Sequence, residues 1–260
     1  MNEIYERWLK EATNFKHLKD WKTGMPRLIL KAFQTKDKKS RGNVSRIITG
    51  PPGSGKSMYT YKIMAKTHYD FNGFTTKDDE EESYKYALDK IIYRPRELFN
   101  TVERTLKEDV QELYICGDDA SIHMGRQLFD QDRQAYRRLQ GTVPTLRENF
   151  ACVFLTTVDV SLLAKPWREF IKHKVIIISS GSEHDYTCFA KHYEKWFFPD
   201  DVRFRIAVLF QDRFSRLVPE PFYSWYHDKK IKALREYNET VKNWRPVVKG
   251  DEPTEEDADT

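Results

Sequence analysis

Short, continuous apolar runs recur along this chain, separated by stretches whose apolar residues fall three or four apart. The runs at Arg46 to Thr49, Glu112 to Gly117, Ala151 to Thr157 and Lys174 to Ser179 read as strands buried on both faces. Ile91, Ile92 and Tyr93 form a shorter strand, ended by Pro95. Between these runs, Met58 to Lys66, Arg96 to Glu108, the highly charged Arg126 to Arg138 and Val160 to Ile171 carry helical patterns. Buried strands alternating with helices predict an α/β fold of three layers, with a mostly parallel central sheet covered on both sides. The segment from the first of these helices to about residue 84, including the acidic run Asp78 to Glu82, is expected to be loop.

The flanks differ in texture. Upstream, Ile4, Tyr5, Trp8, Leu9 and Ala12 lie at helical spacing, Leu18 and Trp21 follow, and Pro26 opens a short helix through Leu28 to Leu30. Downstream of Glu183, the segments Asp185 to Tyr193 and Phe204 to Phe210 partly alternate, as antiparallel strands do. Pro221 to Trp244 is a long helix with Tyr223, Tyr226, Ile231, Leu234 and Tyr237 on one stripe. The expected organisation is therefore an N-terminal helical, basic segment (1–43), an α/β core (44–180), a small C-terminal sheet-plus-helix extension (181–249) and a disordered acidic tail (250–260).

Composition narrows the class. With 260 residues, 39% of them hydrophobic, the chain can bury one substantial core, and with 32% charged residues no window is apolar enough to span a bilayer. The N-terminus MNEIYERWLK is not patterned as a secretory signal, and Cys116, Cys152 and Cys188 occur singly, so a cytoplasmic protein with reduced core thiols is expected. The formal charge is +4, but the last eleven residues hold six carboxylates and no base, which leaves +4 − (−6) = +10 for the rest. Lys36, Lys38, Lys39 and Arg41 concentrate part of that excess in a stretch that is either a solvated linker or a contact for nucleic-acid phosphates.

The chemistry begins where the first strand stops. In Gly50-Pro51-Pro52-Gly53-Ser54-Gly55-Lys56-Ser57, the glycines permit backbone conformations that point successive N–H groups inward without a Cβ in the way. Lys56 can reach β- and γ-phosphates, Ser57 can ligate Mg²⁺, and the helix entered through Met58 turns its positive end to the same charge. The pattern G-x-x-x-x-G-K-[ST] is complete, in its strand–loop–helix setting, and predicts a bound polyphosphate.

A second station follows the strand Glu112 to Gly117, which ends in Asp118-Asp119. Asp118 would hold the shell of the Mg²⁺, and Asp119 would orient or deprotonate an attacking water. The next strand ends in Thr156-Thr157, where a hydroxyl could bond the γ-phosphate or the water; Thr157 is the favoured one. Beyond it, Arg168 could complete a neighbouring subunit's site or make a surface ion pair.

GPPGSGKS resembles the phosphate loop of the AAA+ class of additional-strand P-loop NTPases. ICGDDAS resembles the acidic motif of small DnaA-like ATPases encoded by archaeal viruses and plasmids. The resemblance covers roughly residues 44 to 180 and implies ATP and Mg²⁺ as cofactors, homo-oligomeric assembly, and work on DNA in replication or packaging. Two departures stand out. Asp119 replaces the more usual glutamate, and the C-terminal part does not read as a four-helix lid, although Arg213 or Arg216 could supply a lid arginine. A nucleotide-gated assembly protein with little hydrolysis is the first alternative function, and a nucleotide or small-molecule kinase the second. His184, Cys188 and His192 recur every fourth residue but lack a fourth ligand, so they read as sheet residues rather than a zinc site. Tyr193, Trp196, Phe197 and Phe198, interleaved with Lys191 and Lys195, are either core or a platform for single-stranded bases.

Overall fold

The computed structural model describes residues 17–33, 42–126, 132–179, 187–198 and 203–242. The N-terminal helix expected before residue 17, the basic residues Lys36, Lys38, Lys39 and Arg41, His184 and the acidic tail lie outside these residues, as do the side chains of Lys195 to Phe198.

Seven strands form one sheet: β1 (Arg46–Thr49), β2 (Ile91–Ile92), β3 (Glu112–Gly117), β4 (Phe150–Thr157), β5 (His173–Ser179), β6 (Thr187–Phe198) and β7 (Arg203–Ser215). Their spatial order is β2-β3-β4-β1-β5-β6-β7. The pairings among β1 to β5 are parallel, while β6 pairs antiparallel with both β5 and β7. β4 therefore stands between β1, which runs into the glycine loop, and β3, which ends at Asp118-Asp119. The C-terminal hairpin continues the main sheet as its antiparallel edge.

The helices are α1 (Met25–Phe33), α2 (Lys56–Phe71), α3 (Lys77–Asp89), α4 (Pro95–Glu108), α5 (Ala120–His123), α6 (Arg133–Thr142), α7 (Leu146–Asn149), α8 (Lys165–Phe170) and α9 (Phe222–Lys242). Strand residues alternate between the two layers, as the pleat requires. Ile48, Cys116 and Phe154 pack with Met25, Ile29, Tyr59, Met64, Tyr84 and Tyr226 beneath α1, α2, α3 and α9. Ile47, Ile115 and Leu155 pack with Leu98, Val102, Leu139, Leu146 and Trp167 beneath α4 to α8. The three-layer α/β fold is thus set by two apolar cores, one on each face of a parallel centre.

Three local expectations change. Lys77–Asp89 is helix rather than loop, because Thr76 accepts a hydrogen bond from the Asp79 N–H while the Asp79 carboxylate accepts from the Thr76 N–H. The first three residues of its acidic run, Asp78, Asp79 and Glu80, lie in the first turn, where the helix dipole favours them. Glu80 turns inward, accepting from the Leu18 N–H at 3.0 Å, and lies 3.1 Å from His17 Nδ1. The segment 160–171 is not one helix: a 3-10 turn at Val160–Leu162, capped by Asp159, is separated from α8 by extended Leu163. Pro166 lacks the N–H that a continuous helix would need there. Finally, α6 starts at Arg133, where the Asp132 carboxylate accepts from the Ala135 N–H, and runs to Thr142.

The hairpin is tied to the phosphate side by buried polar groups. Tyr59 donates to Asp212 at 2.7 Å and its oxygen lies 2.7 Å from His192 Nε2, while Thr23 donates to Asp212 at 2.7 Å. The Trp21 indole donates to the Arg213 carbonyl. All three cysteines are buried, and none forms a disulfide. Among the described residues, no helix is long and apolar enough to cross a membrane.

Candidate functional site

Gly50 to Ser57 form a tight loop between the end of β1 and the start of α2. Gly53 (φ 73°) and Gly55 (φ 93°) have left-handed backbones that L-residues rarely adopt. Gly55 also admits a neighbour: a Cβ there would sit 2.8 Å from Cγ of Arg216, whose guanidinium donates to the Gly53 carbonyl at 3.0 Å. The Lys56 ammonium is folded back onto the loop, donating to the Gly50 and Pro51 carbonyls at 2.9 Å each. Burial holds its pKa below the ordinary lysine value, against the opposing pull of Asp119 and Asp118.

The central contact joins the two motifs. Ser57 Oγ donates to Asp118 Oδ1 at 2.7 Å, although the residues lie on different elements far apart in sequence. Asp118 is 1% exposed, and its carboxylate is the hub of the site. Oδ1 also accepts from Thr156 at 2.6 Å, while Oδ2 accepts from the Tyr226 hydroxyl at 2.6 Å and lies 3.7 Å from the Lys230 ammonium. Lys230 makes a closer pair with Asp119, at 2.6 Å. Burial works against the Lys230 charge, but the two aspartates outweigh it and raise its pKa. Burial, with Asp118 adding to it, pushes the Tyr226 phenol far up, so it stays a proton donor. Asp119 has a left-handed backbone (φ 46°), and its N–H donates to Thr156 Oγ1 at 2.8 Å.

Lys56, Ser57, Asp119, Tyr226 and Lys230 line a cleft of about 900 Å³ between the glycine loop and α9, with Asp118 buried behind them. Pro52, Met58, Arg216, Tyr223, His227 and Lys230 are among its lining residues. Its size falls within the range of small-molecule sites, and it combines apolar walls with a few convergent polar groups. The hard oxygens of Ser57 and Asp118 fit a Mg²⁺-sized cation, and the Cβ-free loop fits phosphate oxygens.

Sequence-nominated residues are therefore distributed unevenly. Gly50, Gly53, Gly55, Lys56, Ser57, Asp118 and Asp119 converge. Pro51 contributes a carbonyl to Lys56, Pro52 and Met58 line the cleft, and Ser54 is buried beneath the loop. Of the two threonines it is Thr156 that reaches Asp118, whereas the Thr157 hydroxyl turns away to donate to the Asp159 carbonyl. Arg168 is exposed on α8 and is not part of the cleft. Of the two candidate lid arginines, Arg216 donates to the glycine loop. Cys188 is buried with its thiol 3.5 Å from the Ser54 carbonyl, and His192 stacks on Phe210. Tyr226, Lys230, Tyr223 and His227 are site residues that the sequence pattern does not single out. Their signal is the aromatic stripe of the last helix, which reads equally well as a core face.

No protein-family model matches the chain, and no curated protein matches it. Among solved structures it is similar to the N-terminal domain of zonular occludens toxin from Neisseria meningitidis, with 15% identity, 70% of this chain and 98% of that one covered, and a TM-score of 0.41. It is also similar to the KaiC-like protein PH0186 from Pyrococcus horikoshii OT3, with 14% identity, coverage of 64% and 90%, and a TM-score of 0.38. A third similarity is to a solved ATPase domain, with 8% identity, coverage of 78% and 95%, and a TM-score of 0.37. Likeness at this distance assigns neither residues nor activity, and the site stands on its own geometry.

Proposed function

We propose that the chain is a Mg²⁺-dependent ATPase whose nucleotide turnover drives work on DNA. The observation that carries the catalytic part is the 2.7 Å bond between Ser57 and Asp118, which brings the phosphate loop and the acidic strand end to one point. When bound there, a divalent cation would supply charge neutralisation at the β- and γ-phosphates. Lys56 turns from the Gly50 and Pro51 carbonyls to the phosphates, and the loop N–H groups hold their oxygens. Asp119 accepts a proton from the attacking water or orients it, and Thr156 takes the role of the strand-tip hydroxyl. Arg216 is placed to act beside the loop. Arg168, exposed on α8, is assigned to the site of a neighbouring copy in a homo-oligomer.

The DNA-directed part is supported by the motif resemblance to small DnaA-like ATPases of archaeal viruses and plasmids. The test is ATP turnover with and without single- and double-stranded DNA, in wild type and Lys56→Ala. Turnover that DNA stimulates and Lys56→Ala abolishes is expected. Unchanged turnover in the variant refutes the site. A second reading, a nucleotide-gated assembly switch with slow hydrolysis, is favoured by the 2.6 Å pair that engages Asp119 with Lys230. It would give ATP-dependent assembly without DNA stimulation.

A further inference from the structure

The two oxygens of the Asp118 carboxylate face different parts of the molecule. Oδ1 belongs to the core motifs, through Ser57 and Thr156. Oδ2 belongs to α9, through the Tyr226 hydroxyl at 2.6 Å and the Lys230 ammonium at 3.7 Å, and Lys230 also pairs with Asp119 at 2.6 Å. Tyr226 and Lys230 are four apart, so a single helix face delivers both. An ammonium is thus seated on Asp119 and beside Asp118, the carboxylate to which the proposed function, with Ser57, assigns the divalent cation.

We propose that Lys230 is the exchangeable counter-ion of the Asp118–Asp119 pair and competes with the divalent cation for Asp118. The inference rests on the proposed function for the place of the cation alone. Two positive species share two buried or half-buried carboxylates poorly: the entering cation must displace the ammonium from Asp118, and by linkage whatever holds Lys230 in place weakens the cation. The helix need not leave for this to happen. α9 is anchored by Phe222 stacked on Tyr84 (4.4 Å), Tyr226 stacked on Tyr61 (5.6 Å) and Lys229 donating to the Leu88 carbonyl (2.6 Å). Lys230 sits on a flexible four-carbon stem at the cleft wall and can swing away from the pair while its backbone stays.

The contribution is measured with Mn²⁺ alone, titrated into nucleotide-free protein and followed by the paramagnetic resonance of free Mn²⁺. Lys230→Met is expected to bind Mn²⁺ about ten-fold tighter than wild type, equivalent to ~1.4 kcal/mol, and Lys230→Arg to bind as wild type does. Should Lys230→Met fail to fold in a melting scan, Lys230→Gln, which keeps a hydrogen-bond donor without the charge, is read the same way. Equal or weaker Mn²⁺ binding in the neutral variants overturns the proposal, as does no binding in any of the proteins. A companion titration with ATP in EDTA separates the roles. Unchanged affinity is expected in the neutral variants, and a loss would make Lys230 a phosphate ligand and overturn the competition. If ATP binds to none of the proteins while Mn²⁺ still tightens, the ATPase reading falls and the counter-ion role stands.

Discussion

Replacing Tyr226 by Phe removes one oxygen atom and tests whether α9 is docked on the acid pair. The ring is 4% exposed and stacked 5.6 Å from Tyr61, and phenylalanine keeps that packing, so the change isolates the hydroxyl. What is lost is a 2.6 Å bond to the Asp118 carboxylate, which is 1% exposed and has no access to compensating water. Hydrogen bonds to charged groups contribute about 1.5–3 kcal/mol, and an under-served buried carboxylate places the loss toward the upper half of that range. For a chain of this size, about 2.5 kcal/mol corresponds to a fall of about 5–10 °C in melting temperature. The assay is thermal unfolding in EDTA, with Tyr223→Phe as control, because Tyr223 lies on the same helix but is 43% exposed. The control is expected to melt within about 0.5 kcal/mol of wild type. A Tyr226→Phe protein that melts as wild type does would show that Asp118 is not held from α9, and the description of the site would fall with it.

Other expectations concern chemistry, backbone and pH. Asp119→Asn should keep ATP affinity and lose turnover by roughly 10²–10⁴-fold, as measured by phosphate release; normal turnover would remove Asp119 from the mechanism. Gly55→Ala forces a Cβ onto a left-handed backbone and into Arg216, so a stability loss of about 1–2 kcal/mol in urea melts is expected, together with weakened ATP binding. Lys62 is fully buried, bonded to the Ser215 and Leu217 carbonyls, and burial lowers its pKa to about 7. Unfolded, it keeps its proton to about pH 10.4, so between these values the unfolded state binds more protons and stability rises with pH, by up to about 1.4 kcal/mol per unit. Lys62→Met should lack this rise, and identical pH profiles for the two proteins would refute the assignment.

The residues that can be read in advance are those whose partners lie beside them in the chain. The glycine loop, Lys56 and Ser57 form one contiguous motif, and Asp118 is marked by the apolar strand that ends on it. The choice between Thr156 and Thr157 was not legible, because it turns on strand register: both faces of these strands are apolar, and only the pairing of β3 with β4 fixes the parity. Cys116 pairs with Phe154, so Asp118 and Thr156 follow on the same face, whereas Thr157 shares its parity with Leu155 on the other. The helix at Lys77–Asp89 is announced by Thr76 and Asp79, a capping pair obscured by the density of acid around it. Tyr226 and Lys230 were not legible. Nothing near them in sequence distinguishes an aromatic stripe that covers a core from one that lines a cleft, and their partner Asp118 is more than a hundred residues away.

The position of β1 constrains what can happen during synthesis. Its two neighbours are β4 and β5, with Arg46 opposite Phe154 on one side and His173 on the other. A Cβ at Gly50 would sit 2.8 Å from the Ile177 carbonyl, so β5 is also the floor of the glycine loop. A ribosome that has released only the first half of the chain has therefore delivered the whole phosphate motif and neither of the strands that flank β1. Nascent chains carry the signature long before they carry the site, and ligand capture during translation must wait until β5 has cleared the exit tunnel.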